Sequence, residues 1–226
     1  YWPQGSLDFF AYMPWEGSKR KKIIEVDKYV IGTGLTITCE TERPEDLEDT
    51  DGQETIIAYA ANRSKENGVV PLHFVHPFAA VSFELKQAHR DLTIKWIRFN
   101  NVHLTGSTTL NATTDDNTAI TWTSSGEKST YKIPVERKIP DQINFGAKIG
   151  GPYLVMPQNL SSASITINYE WNNEKDTDDE VTGDEDYDID NPTSEKNKNN
   201  IYQITRTLDG SWVAGNKYNY VLNLGD

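Results

Sequence analysis

Ser164-Ile165-Thr166-Ile167-Asn168-Tyr169-Glu170-Trp171 sets Ile165, Ile167, Tyr169 and Trp171 at every second position, with Thr166, Asn168 and Glu170 between them. Successive side chains of an extended chain point to opposite faces, so this octet reads as a strand with one dry side and one wet side. The pattern returns at the other end of the chain. There Tyr218, Tyr220, Leu222 and Leu224 alternate with Asn219, Val221 and Asn223, after the turn signal Ala214-Gly215-Asn216-Lys217. Working inward, Val81, Phe83 and Leu85 precede a turn around His89 to Asp91, and Leu92, Ile94 and Trp96 follow it, which reads as a hairpin. Beyond Trp96 the apolar parity moves to Ile97 and Phe99. A slip of one residue turns every later side chain to the other face, so a bulge or a change of sheet is expected there, and a sandwich corner is placed at Trp96 to Ile97.

Further strands are expected over Leu7 to Met13, Lys28 to Ile31, Leu35 to Cys39, Thr55 to Tyr59, Val69 to Val75, Thr118 to Trp122, Tyr131 to Val135 and Tyr153 to Met156. Helical periodicity is scarce. Two short helical pieces are expected, Arg43 to Glu48 after a cap at Thr41 and a turn over Asn62 to Asn67, and neither is long enough to organise a core. This is the pattern of an all-β protein, and its strand count suits β-sandwiches with Greek-key-type connections better than a parallel α/β sheet. The 226 residues suffice for one large β-domain or two modest sandwiches. A polar stretch ending at Asn67-Gly68 gives way to Val69-Val70-Pro71-Leu72-His73-Phe74, so the division is placed at 1–68 and 69–226. Residues 40–54 and 172–200 lack apolar periodicity and read as surface excursions, the second an acidic insertion in the C-terminal domain.

Charge and composition exclude several classes of function. With 34 acidic and 22 basic residues the formal charge is -12, which repels nucleic acid and anionic lipid surfaces, so no nucleic-acid partner is expected. Lys19 to Lys22 is the one basic run, and the loop it sits in is read as solvated. Cys39, the sole cysteine, falls at an alternating apolar position after Leu35 and Ile37, as a buried inert thiol does. No stretch has the apolar length to cross a bilayer as a helix. The chain opens on Tyr1-Trp2-Pro3 and not on Met with a basic leader, so a mature or trimmed product is expected.

Catalytic chemistry finds no foothold, and an enzyme is not expected. His73 and His76 lie three apart in a predicted strand, on opposite faces, which is poor geometry for a zinc clamp. No Gly-x-Ser-x-Gly elbow and no phosphate-cradling glycine loop occurs. No cofactor is expected. The one metal candidate is Asp184, Asp186, Asp188 and Asp190, whose carboxylates at every second position of a loop could converge on calcium, although the turn glycine and distal glutamate of a calcium loop are out of register. A solvated acidic insertion is the plainer reading. Trp2, Trp15, Trp122 and Trp212 are candidates for stacking on sugar rings, which would make a secreted carbohydrate-binding sandwich. Set against that, aromatics at alternating strand positions ordinarily belong to a core.

Seven blocks, taken in order, carry a resemblance. Tyr1-Trp2-Pro3-Gln4-Gly5-Ser6-Leu7-Asp8-Phe9-Phe10-Ala11-Tyr12-Met13-Pro14 resembles a segment of fimbrillin-like proteins, the subunits of type V pili. Thr55 to Ala60, Val70 to Phe83, Ile94 to Gly106, Tyr153 to Gln158, Ile165 to Tyr169 and Trp212 to Leu224 are similar to later blocks of that family and follow in its order over nearly the whole chain. The resemblance implies two transthyretin-like β-sandwich domains, made as a lipoprotein precursor and processed at the outer membrane. It further implies a non-enzymatic fimbrial subunit in which cleavage after an arginine frees a groove that a donor strand of the next subunit fills, contributing to adhesion at the cell surface. The expected partners are therefore other fimbrial subunits, with a host surface protein or glycan beyond them. The first strands, the lipidated cysteine and the cleavage arginine are expected upstream of Tyr1, and Arg20 does not match that arginine. Groove or core-lining roles are expected for Tyr218, Tyr220, Leu222 and Leu224 in the last strand and for Leu7 and Phe9 in the first.

Overall fold

The computed structural model describes residues 2–13, 24–41, 55–87, 92–111, 120–139, 147–171 and 201–224. The chain is all-β, as its alternation implies. The strands are β1 (Leu7–Met13), β2 (Ile24–Val30), β3 (Gly34–Glu40), β4 (Ile56–Arg63), β5 (Ala79–Gln87), β6 (Leu92–Val102), β7 (Thr105–Asn111) and β8 (Thr123–Ser125). They continue with β9 (Ser129–Ile139), β10 (Ala147–Val155), β11 (Gln158–Asn159), β12 (Ser164–Trp171), β13 (Ile201–Thr207), β14 (Ser211–Trp212) and β15 (Lys217–Asn223). Among the described residues no α-helix forms. The turn expected over Asn62 to Asn67 is a single 3-10 turn, Lys65–Asn67, while Asn62 itself still belongs to β4, which ends at Arg63. The helix expected at Arg43 to Glu48, like Arg20 and Lys19 to Lys22, lies outside the described residues.

Two apolar clusters define two sandwich cores. The larger lies between the sheet β13-β12-β6-β9 and the sheet β10-β5-β15. Phe83, Phe99, Ile97, Ile133 and Leu85 are wholly buried in it, and each contributes roughly 1.5–3 kcal/mol over an exposed position. The smaller lies between the sheet β2-β3-β7-β8 and the two-stranded sheet β1-β4, around Ile37, Ile57, Cys39 and Tyr59. Chain order does not follow these cores. β3 takes β7 as its second neighbour, and Met156, just past β10, joins the smaller cluster. β15 lies parallel to β5, Tyr218 opposite Val81 and Leu222 opposite Leu85.

β6 remains in one sheet along its whole length, so the corner expected at Trp96 to Ile97 is not there. The register with β12 instead slips between Ile94 and Trp96, making Lys95 the extra residue of a bulge. One inserted residue restores the parity that the sequence breaks. Ile94, Ile97 and Phe99 then all face the core, and Lys95 and Trp96 both face outward.

Candidate strand-addition rim

The smaller sandwich is lopsided among the described residues: its four-stranded sheet faces a sheet of two strands. Among the described residues β1 has a strand on one side only, β4, with Phe10 opposite Tyr59 and Tyr12 opposite Ile57. Phe10 and Tyr12 turn toward the core, while Phe9 and Ala11 lie with Ala60 and Ala58 on the opposite face. Beyond β1, part of the opposing strand β2 is left uncovered by the described residues. Ile24 is buried, but Val26, opposite the buried core residue Ile37, is 49% exposed, and so is Tyr29, opposite Leu35. Side chains on the inner face of a sandwich are covered by the other sheet. At Val26 and Tyr29 that cover is incomplete among the described residues.

The rim is held in shape by Asp8. Its carboxylate accepts the Tyr59 hydroxyl (Oη–Oδ2 2.6 Å) and the Asn62 backbone N–H (2.7 Å), and it also accepts the hydroxyl of Tyr29. Asn62 has φ of +52° and sits where β4 carries an extra residue between Ala60 and Arg63, so the carboxylate fastens a bulge in the left-handed region. Burial alone raises the Asp8 pKa, but the three hydrogen bonds outweigh it and hold the carboxyl below its ordinary value. Burial, and then Asp8 itself, raise the Tyr59 hydroxyl. One aspartate thus joins β1, β2 and β4 at the mouth of the rim.

The residues singled out in the sequence divide between the two sandwiches. Leu7 is 38% exposed at the start of β1, and Phe9 lies against Trp2, ring centroids 5.8 Å apart. Tyr218, Tyr220, Leu222 and Leu224 belong to the larger core, far along the chain from that rim: Leu222 and Leu224 are buried, and both tyrosines pack against the cluster. Asp184, Asp186, Asp188 and Asp190 lie outside the described residues, as does Trp15. Of the other tryptophans, Trp212 is buried with Nε1 donating to Tyr220 Oη at 2.9 Å. Trp122 stacks on Phe78 and donates to the Pro77 carbonyl. Neither offers a ring face to a sugar in the way an exposed platform does.

Val26 escaped the sequence reading because it precedes the strand predicted from Lys28 to Ile31, whereas Tyr29 lies within that prediction. Their alternation is broken by an extra residue, Asp27, between Val26 and Lys28. His73 and His76 lie exposed in the segment before β5 and not in a regular strand; of that segment only Val75 bridges, to Ile57. Pro71 has no N–H to give a ladder, which accounts for the expected strand at Val69 to Val75 being reduced to one bridge.

A family model described as fimbrillin-like matches residues 1–226. Among solved structures, the chain is similar to a candidate cell adhesion protein from Bacteroides uniformis ATCC 8492, at 15% identity and a TM-score of 0.46, covering 100% of this chain and 71% of that one. It is similar also to a candidate cell adhesion protein from Bacteroides ovatus ATCC 8483, at 15% identity and a TM-score of 0.44, covering 98% of this chain and 64% of that one. The chain therefore spans less than two thirds of the second structure's length. No curated protein matches it.

Proposed function

We propose, from the premise that this chain belongs to the fimbrillin-like family, that it is a structural subunit of a cell-surface fimbrium and assembles by accepting a strand from a neighbouring subunit along the side of β1 that has no strand partner among the described residues. The observation that carries this reading is the inner face of β2, uncovered among the described residues, where Val26 and Tyr29 stand half-exposed opposite core residues. An added strand would extend the β1-β4 sheet, satisfy backbone groups along the rim of β1 and cover Val26. Covering a half-exposed valine contributes on the order of 1 kcal/mol, and the backbone ladder adds to it. No cofactor or reaction is needed for such a role. The exported lipoprotein precursor, its processing at the outer membrane and its contribution to adhesion belong to the same proposal.

The test is assembly by the full precursor in the presence of its processing protease, read as heat-sensitive ladders on denaturing gels. Ladders should form with the native chain and weaken with Val26→Arg, whose charged side chain obstructs an incoming strand. The substituted monomer should melt within a few degrees of the native one, because the position is already half-exposed. Monomer that persists after cleavage of the native chain defeats the proposal. Undiminished ladders from Val26→Arg would move the acceptor site away from β1 and β2.

A further inference from the structure

The outer face of the larger sandwich carries a feature that strand addition does not use. Because of the bulge at Lys95, Trp96 turns outward and is half-buried in the middle of the sheet. The Arg98 guanidinium carbon lies 5.2 Å from the Trp96 ring centroid and Lys132 Nζ lies 5.5 Å from it. Arg98 and Lys132 are register partners on neighbouring strands, so two cations sit side by side. Like charges directly opposite one another disfavour a strand pair. In a chain with 34 acidic residues, neither has a carboxylate partner among the described residues, whereas nearby Lys95 is paired with Glu170 at 3.1 Å. Arg98 Nε is buried with no hydrogen-bond acceptor among the described residues. The arrangement is that of an anion site with an aromatic floor.

We infer that Trp96, Arg98 and Lys132 form a binding site for a short acidic saccharide, its carboxylate held between the two cations and a sugar ring stacked on the indole. Two observations favour a saccharide. β6 is an interior strand with β12 on one side and β9 on the other, so its backbone is already paired and cannot take up an extended peptide. Recognition must then come from side chains. A guanidinium matches a carboxylate with two parallel hydrogen bonds, and an indole face takes the C–H face of a pyranose. The net charge of -12 repels polyanions at long range, an effect that fades within about 8 Å at physiological salt, so a ligand with one carboxylate suits the site better than a polyanion.

The experiment is titration of the intact chain with short oligosaccharides ending in a uronic or sialic acid, with their carboxyl-reduced counterparts, and with an acidic hexapeptide. The acidic sugars should bind and the reduced ones should not. Arg98→Gln and Lys132→Gln should each weaken binding about tenfold, the loss expected for one charge-assisted hydrogen bond. Trp96→Ala should abolish binding and Trp96→Phe should retain part of it. Both cation variants alter outward-facing side chains, so they decide the matter even where Trp96→Ala fails to fold. Absence of binding by every acidic sugar overturns the inference. So does sugar binding that survives both cation substitutions, and so does preferential binding of the hexapeptide. None of these outcomes depends on ladder formation, which tests the rim of the other sandwich.

Discussion

Tyr59 on β4 donates its hydroxyl to Asp8 on β1 across 2.6 Å, and the same carboxylate takes, at 2.7 Å, the N–H of Asn62, the residue before the last of that strand. The pair therefore fixes both the lateral position of β1 and the bulge that ends its register with β4. Asp8→Asn keeps the shape but loses the charge that strengthens three hydrogen bonds. Discounted for the partial exposure of the site, the expected loss is about 1 kcal/mol at pH 7, measured by urea denaturation. The carboxyl is held below its ordinary value of 3.8, so its contribution is present above about pH 4 and is lost as the pH falls through the lower folded value. The gap between native and substituted chains should be full at pH 7 and should close on further acidification below pH 4.

Cys39 tests burial in the smaller core from the opposite end of the pH scale. Its thiol is only 1% exposed, and burial first, then the charge of Asp27, push its pKa up to about 12. A disulfide reagent at pH 8 should leave the folded chain unlabelled for as long as it stays folded, and label it fully in denaturant. Because the raised value favours the protonated form, the associated stability is complete below about pH 9 and is lost as the pH climbs toward 12. Fast labelling under native conditions would show that the smaller sandwich opens readily.

Gly151 marks a place where the backbones of β10 and β5 come too close for a side chain. Its φ is +99°, and a Cβ there would lie 2.7 Å from the Val81 carbonyl oxygen and 2.8 Å from the Ser82 Cα. Those are main-chain atoms of a central strand and cannot swing away. Gly151→Ala is expected to cost about 2–5 kcal/mol, combining a disfavoured dihedral with overpacking, and to show as a large fall in melting temperature.

Tyr220 supplies the acceptor for the buried Trp212 indole, which meets Phe99 edge to face at 4.9 Å. Tyr220→Phe keeps the ring against Phe83 and Phe99 but leaves the indole N–H without its oxygen. A loss of about 1–3 kcal/mol is expected, with a change in tryptophan fluorescence that reports the altered polarity around Trp212. Saccharide binding at Trp96 should be unaffected, which separates stability from recognition.

Alternation exposed the strands whose two faces differ in polarity. Ile165, Ile167 and Tyr169 in β12, and Leu35, Ile37 and Cys39 in β3, are buried where period two places them. β7 went unread because Thr105-Gly106-Ser107-Thr108-Thr109-Leu110-Asn111 has a single large apolar residue; its inward positions are filled by small groups such as Gly106 and Thr108. β13 escaped for a related reason. Tyr202, Ile204 and Arg206 mix apolar and charged residues along one side of an edge strand, where burial exerts little selection. The rim at Val26 could not be found from alternation, since what distinguishes it is the lack of an opposing neighbour among the described residues.

Taken alone, the sequence determined the class of the fold and the inward side of its main strands, because side-chain alternation is local and water sorts the two faces. Only the tertiary structure decided which strand lies beside which: β15 parallel to β5, β7 beside β3, and β1 beside β4. Those pairings join residues more than a hundred positions apart in the case of Val81 and Tyr218, and no local pattern encodes a partner at that distance. The same holds for the Trp96 site. Its tryptophan and arginine are two residues apart on β6, but the lysine reaches them only because β9 pairs there.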